Sequence, residues 1–168
     1  PASAGTSDNI DGWAWSSNIG WVSMNCEDQG VCGSGPGQSN YRVRVTGRDL
    51  KGYAWSSNIG WIQFDPDASG APDAPNESAR VDNPGAPSSA LSGWARALSN
   101  NVPNGDWDGW IKMSGTAPGG SYGVSVDNAN NRFSGFAWGG EVVGWLNFDM
   151  VTLASGGPPR ARCPIFTA

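Results

Sequence analysis

The 168-residue chain contains no histidine, and that absence removes a good deal of chemistry. A Ser-His or Cys-His nucleophile pair cannot be assembled. Zinc is disfavoured too, because three cysteines alone leave a tetrahedral shell open. Charge is scarce, with 10 Lys and Arg against 15 Asp and Glu. A net charge of −5 without a basic cluster argues against nucleic acid as a partner. No apolar run approaches the roughly 20 residues that cross a bilayer, so no membrane span is expected. No window sustains a 3.6-residue apolar period, and Gly or Pro interrupts every candidate helix. The chain starts at Pro1 without Met, which reads as a processed product or a fragment.

What is abundant is glycine, at 25 residues, proline at 12 and tryptophan at 10. That balance suits an all-β protein with many tight turns. Gly52-Tyr53-Ala54-Trp55-Ser56-Ser57-Asn58-Ile59-Gly60-Trp61-Ile62-Gln63-Phe64 occurs almost letter for letter as Gly12 to Met24. Looser copies are Gly93-Trp94-Ala95-Arg96 with Gly109 to Met113, and Gly135-Phe136-Ala137-Trp138 with Gly144 to Phe148. The aromatic after the first glycine falls at 13, 53, 94 and 136, so one structural unit of about 40 residues is used four times.

Each copy reads as a β-hairpin. Side chains alternate along a strand, so Leu50, Gly52 and Ala54 share one face, and Lys51, Tyr53 and Trp55 the other. In the returning strand Ile62 and Phe64 oppose Trp61 and Gln63. The Ser-Ser-Asn-Ile-Gly link is a turn, with Asn and Gly available for positive φ. Large apolar groups on both faces near the turn predict a sheet covered on both sides, as stacked or sandwiched sheets would be. A small propeller-like closed ring is the alternative. Domain organisation follows as a single all-β repeat domain over 1–168: an N-terminal arm at 1–9, four repeats over 10–149 and a C-terminal arm at 150–168.

Repeats two to four each carry a lead strand before the hairpin: Tyr41-Arg42-Val43-Arg44-Val45, the weakened Ala79-Arg80-Val81-Asp82-Asn83, and Tyr122-Gly123-Val124-Ser125-Val126. Repeat one has none, so one strand is missing from a set of twelve. An open edge invites pairing. The C-terminal arm can fill it within its own chain, as a propeller closes, or in a neighbour, as donor-strand assemblies do. Gly/Pro-rich ends are mobile unless tied down, and we favour the neighbour.

Cys26 and Cys32 bracket a Gly-rich loop and are expected to form a disulfide, which implies an oxidising, exported location. Cys163 is then odd, buried and inert or bonded to another chain. With Ile165 and Phe166 it is the candidate intersubunit segment. Gly33-Ser34-Gly35-Pro36-Gly37 is not a phosphate loop, since no Lys-Ser/Thr follows. The acidic residues lie almost all in turns. Asp106 and Asp108 around Trp107 are the best local pair, and a solvated loop is expected ahead of a weak Ca²⁺ site or a catalytic dyad. No catalytic residue, metal or cofactor is therefore assigned.

Nine of the ten tryptophans sit at repeat positions, which predicts core or inter-sheet packing. The alternative is that Trp13, Trp15, Trp21, Tyr53, Trp55 and Trp61 are exposed stacking platforms for sugar rings. Trp107 belongs to the repeat-three insertion, where no packing pattern demands it. Asn104, Asp106, Trp107 and Asp108 are accordingly the ligand candidates under that alternative.

The Gly-Tyr-Ala-Trp-Ser-Ser-Asn-Ile-Gly-Trp-Ile-x-Phe motif, with a Cys…Cys loop after one hairpin and Tyr-x-Val-x-Val before the next, resembles repeats of largely uncharacterised exported bacterial proteins. The likeness spans most of 10–149, strongest in repeats one, two and four. It implies a secreted or surface location and carries over no catalytic residue. The sequence thus reads as a non-enzymatic extracellular structural protein, a subunit of a bacterial surface assembly or filament joined to copies of itself by strand pairing. A Trp-rich carbohydrate-binding module or lectin for surface glycans is the competing class.

Overall fold

A computed structural model describes residues 9–99 and 107–154. Residues 1–8, Asn104 and Asp106 of the insertion, and the segment 155–168 with Cys163, Ile165 and Phe166 lie outside the described residues. Repeat one supplies β1 (Asn9–Ser16), β2 (Gly20–Ser23) and a helical turn, α1 (Cys26–Gln29). Repeat two supplies β3 (Val43–Thr46), β4 (Asp49–Ser56) and β5 (Gly60–Gln63). Repeat three gives β6 (Arg80–Val81), β7 (Ser88–Ser92), β8 (Trp94–Ala97) and β9 (Trp110–Lys112). Then come β10 (Ser114–Ala117), β11 (Gly120–Asp127), β12 (Arg132–Trp138), α2 (Gly140–Val143), β13 (Trp145–Asn147) and β14 (Val151–Ala154). The protein is all-β, and among the described residues no helix is long and apolar enough to cross a membrane.

Of the two arrangements the sequence allowed, the closed ring is the one formed, as a barrel rather than as blades. The antiparallel order β1-β2-β4-β5-β8-β9-β12-β13 returns to β1. A second circuit, β1-β3-β4-β6-β7-β11-β12-β14, also returns to β1. The staves β1, β4 and β12, and the β7–β8 run divided at Gly93, pass through both. Their first halves pair with lead strands, and their second halves with the hairpin returns. Closure leaves neither ring with an edge.

The crossover happens at a glycine in every stave. Gly12, Gly52, Gly93 and Gly135 have φ of +93°, +94°, +82° and +89°, a region L side chains rarely adopt. A Cβ at these positions would collide with the backbone oxygen of Met150, Arg42, Ser78 and Gly123 respectively. The same glycines accept, through their carbonyls, from the amides of Met24, Phe64, Met113 and Phe148 at 2.9–3.0 Å. Those four large side chains are buried in the continuous core.

Below this waist the barrel interior alternates small and large. Cross-strand partners are Ala14 with Val22, Ala54 with Ile62, Ala95 with Ile111 and Ala137 with Leu146. All eight are essentially fully buried. Alternating Ala with a branched side chain fills a narrow eight-stranded lumen without voids.

The strand missing from repeat one is supplied by the chain itself. Val151 stands opposite Gly12 in β14, as Val43 stands opposite Gly52 and Val124 opposite Gly135. Val151 and Leu153 are buried, which holds β14 in place by its apolar face. The neighbour favoured from the sequence is not needed to fill this slot.

Three local features depart from the sequence reading. Asn18 and Asn58 do not take positive φ in their turns; Gly20 and Gly60 do, at +75° and +78°. The asparagine amides instead tie turn to turn, Asn58 Nδ2 donating to Ile19 O at 2.7 Å and Asn18 Nδ2 to Glu141 O at 3.1 Å. The helical turn α1 also appears, because the Asn25 side chain accepts from the amides of Glu27 and Asp28, satisfying otherwise orphaned donors. Finally, β10 has no alternating pattern to betray it, and it pairs only with the first half of β11.

The waist glycines set the first test. Gly52→Ala is expected to lose at least about 3 kcal/mol in denaturant unfolding, from left-handed strain plus the backbone collision. Gly37→Ala, also at positive φ but with nothing near, is expected to lose only about 1 kcal/mol. Ala54→Leu, which overfills the lumen, should cost about 1–3 kcal/mol.

Candidate functional site

The outer wall carries aromatic side chains in one shared pattern on repeats one, two and four. Every stave presents two positions outward and the returning strand one, and the register brings them together. Trp15 lies directly across from Trp21, Trp55 from Trp61, and Trp138 from Trp145. Their ring centroids are 4.7, 4.6 and 4.7 Å apart. A third ring, Trp13, Tyr53 or Phe136, meets the returning tryptophan edge-on at 6.3 Å in each case. Such edge-to-face contacts place positive ring edges on negative faces and fix each cluster's geometry.

These clusters are not covered by a second sheet, which corrects the expectation of stacked sheets and inter-sheet packing. Trp15, Trp21, Tyr53, Phe136 and Trp145 are 39–43% exposed. The reason is topological: the sheet curves back on itself, so its inner face makes the core and no second layer remains for the outer one. Only repeat three follows the packing expectation. There Trp94 and Trp110 are 5% exposed, in a small cluster with Ala68 and Ala71 of the loop after β5. Arg96 stands where Trp15, Trp55 and Trp138 stand in the other repeats and lies 4.7 Å above Trp110, and Lys112 lies over Trp94 while pairing with Asp73.

Repeats two and four add a tyrosine to their clusters. Tyr41 meets Trp61 at 5.1 Å and Tyr122 meets Trp145 at 4.9 Å. Tyr41 is buried, its hydroxyl donating to Ser23 Oγ at 2.8 Å, and burial raises its phenol's pKa above the ordinary value. The equivalent spacing, Tyr-x-Val at 41–43 and 122–124, is present in the sequence, where alternation alone marks it as strand. The repeat-four cluster was likewise legible by alignment with repeats one and two.

Of the four ligand candidates named under the alternative reading, Trp107 and Asp108 lie among the described residues. Trp107 packs against the core and donates its indole N–H to Gly139 O at 3.0 Å. Asp108 Oδ1 accepts from the Trp110 amide at 3.1 Å. Trp107 thus packs on the core beside Gly139 and Gly140, past the end of β12, a packing role that the sequence pattern did not demand. Asn104 and Asp106 cannot be placed with them, since they lie outside the described residues. Among the described residues no three His, Cys, Asp or Glu side chains converge as metal ligands.

Cys26 and Cys32 form a disulfide, which ties α1 to the loop beside the aromatic cluster of repeat two. Within that loop Asp28 has a structural task. Its carboxylate accepts from the Gly12 amide at 2.6 Å, as Asp65 does from Gly52 at 3.1 Å and Asp149 from Gly135 at 3.0 Å. Burial pushes the Asp28 pKa from 3.8 to about 6; the Gly12 bond opposes this, and Asp11 and Glu27 add to it.

Because the folded protein holds the Asp28 proton to higher pH than the unfolded chain, its stabilising contribution is complete below about pH 4 and is lost as pH rises through 6. In thermal melts from pH 3 to 8, the midpoint of wild type minus that of Asp28→Asn is expected to fall across this window. The wall and core tryptophans separate by stability: Trp94→Ala should cost about 3–5 kcal/mol, and Trp21→Ala, being exposed, about 1 kcal/mol or less. No family model, curated protein or solved structure matches the chain.

Proposed function

We propose that this is a non-enzymatic extracellular binding module whose outer aromatic clusters hold saccharide rings. The observation carrying this reading is that three repeats expose preorganised aromatic clusters which the core does not need. A pyranose ring presents an apolar C–H face that stacks on indole or phenol, while its hydroxyls seek polar groups at the margin. Repetition of the cluster around one wall offers several weak contacts to a single polymer, and linked weak contacts multiply into avidity. The Cys26–Cys32 disulfide supports an oxidising, extracellular or surface location.

A second reading, a subunit of a surface assembly or filament made of copies of this chain, is favoured by one feature. The closing strand β14 is the last described element, and a lead strand at the end of a fold is the kind of element that neighbours exchange. In that reading Cys163, Ile165 and Phe166 of the C-terminal arm reinforce the junction.

Affinity electrophoresis through gels containing soluble polysaccharides tests the first reading. Wild type is expected to be retarded by at least one neutral polymer, and the triple variant Trp21→Ala/Trp61→Ala/Trp145→Ala to run freely with its circular dichroism unchanged. Negative-stain microscopy and non-reducing gels test the second. Filaments, or covalent ladders removed by Cys163→Ser, are its expected outcome, and a monomer in both excludes it.

A further inference from the structure

The exposed cluster of repeat two has a polar wall beside it. The disulfide-tied loop folds so that Gln29, Gln38, Ser39 and Asn40 border the Tyr41–Tyr53–Trp55–Trp61 cluster. Two shallow depressions of about 310 and 270 Å³ share Ser39, Tyr41 and Trp61, so they form one groove passing Trp61. One end reaches Tyr53 and Leu98, and the other Trp55 and Val31.

We infer that this groove is a site for a neutral oligosaccharide, with one sugar ring on each side of Trp61. This rests on the saccharide-binding reading above and assigns it to one place. The floor is aromatic and held in position: Trp61 touches three rings, and Tyr41 is anchored through its hydroxyl to Ser23. The rim is amide and hydroxyl. Gln38 and Asn40 accept from the Gly35 and Gly33 amides through their side-chain oxygens, each at 2.9 Å. Those bonds fix the side chains, and their NH₂ groups make no hydrogen bond among the described residues, which suits them to donate to ligand hydroxyls. Among the described residues no charged side chain lines the groove, and a chain of net charge −5 repels anionic glycans, so an uncharged sugar is the matching ligand. Two adjoining depressions call for a disaccharide or longer. A floor and rim already fixed reduce the ordering cost of binding.

The test uses the full chain, with cellohexaose, xylohexaose, mannohexaose and N-acetylchitohexaose as probes in calorimetric and fluorescence titrations. At least one hexasaccharide is expected to bind, more tightly than its monosaccharide. Trp61→Ala should weaken binding about tenfold or more, and exposed Gln38→Ala about threefold or more with an unchanged melting temperature. Trp21→Ala and Trp145→Ala, in the other two clusters, should weaken hexasaccharide binding less than Trp61→Ala does. Gln38→Ala serves where Trp61→Ala disturbs folding. Binding that survives the Trp61 and Gln38 variants but is lost in those of Trp21 or Trp145 overturns this groove and leaves the general saccharide reading standing. No retention of wild type by any saccharide overturns both. A proline-rich peptide that binds in place of every sugar, and is released by Trp61→Ala, overturns the ligand assignment.

Discussion

The whole architecture depends on a backbone contact that only glycine allows. At Gly12, Gly52, Gly93 and Gly135 a stave turns through a positive φ and lies against the carbonyl of a lead strand. That contact lets one continuous stave leave one ring and enter the other without a loop. In three repeats an aspartate carboxylate takes the glycine amide released by this turn, which would otherwise be an unsatisfied polar group near the core. In repeat one the residue after Met24 is Asn25, occupied in capping α1, so Asp28 reaches in instead. The same task performed from a different position buries the carboxyl, with Asp11 and Glu27 adding to the effect, and this is why its proton affinity is raised.

Closure then divides the side chains into two populations. The inner face of an eight-stranded ring is narrow, and it is filled by alanine alternating with Val, Ile or Leu. The outer face has no second sheet to meet, so its aromatic residues satisfy one another edge to face and stay partly exposed. Rings that would be core in a sandwich become a patterned surface in a barrel. The tip of the barrel is sealed separately, by hydrogen bonds from one repeat's turn to the next.

The repeats also differ in what lies beside each aromatic cluster. In repeat three the loop after β5 packs on Trp94 and Trp110, and Arg96 replaces one ring of the cluster. In repeat one the cluster stands in the open. In repeat two the disulfide-tied loop forms a wall and leaves the floor uncovered. Divergence outside the shared scaffold, rather than within it, makes the four faces chemically distinct.

The sequence by itself determined the all-β class, the fourfold unit, which residues of each hairpin share a face, and the Cys26–Cys32 pair. These follow from local rules, namely alternation, turn residues and close spacing, that act within a few residues. It also exposed the missing strand of repeat one and pointed to the C-terminal arm to fill it, but not to which chain's arm, because Val151 to Ala154 and Asn9 to Gly12 are brought together only by closing the ring. Whether Trp15 or Trp145 is core or surface could not be read from alternation, which says which residues share a face and not what covers it. The role of Trp107 was hidden for a similar reason, since its partners, Gly139 and Gly140, are distant in the chain. The tertiary structure decided those points, because sheet curvature is a property of all the strands together and selects which face keeps its contact with water.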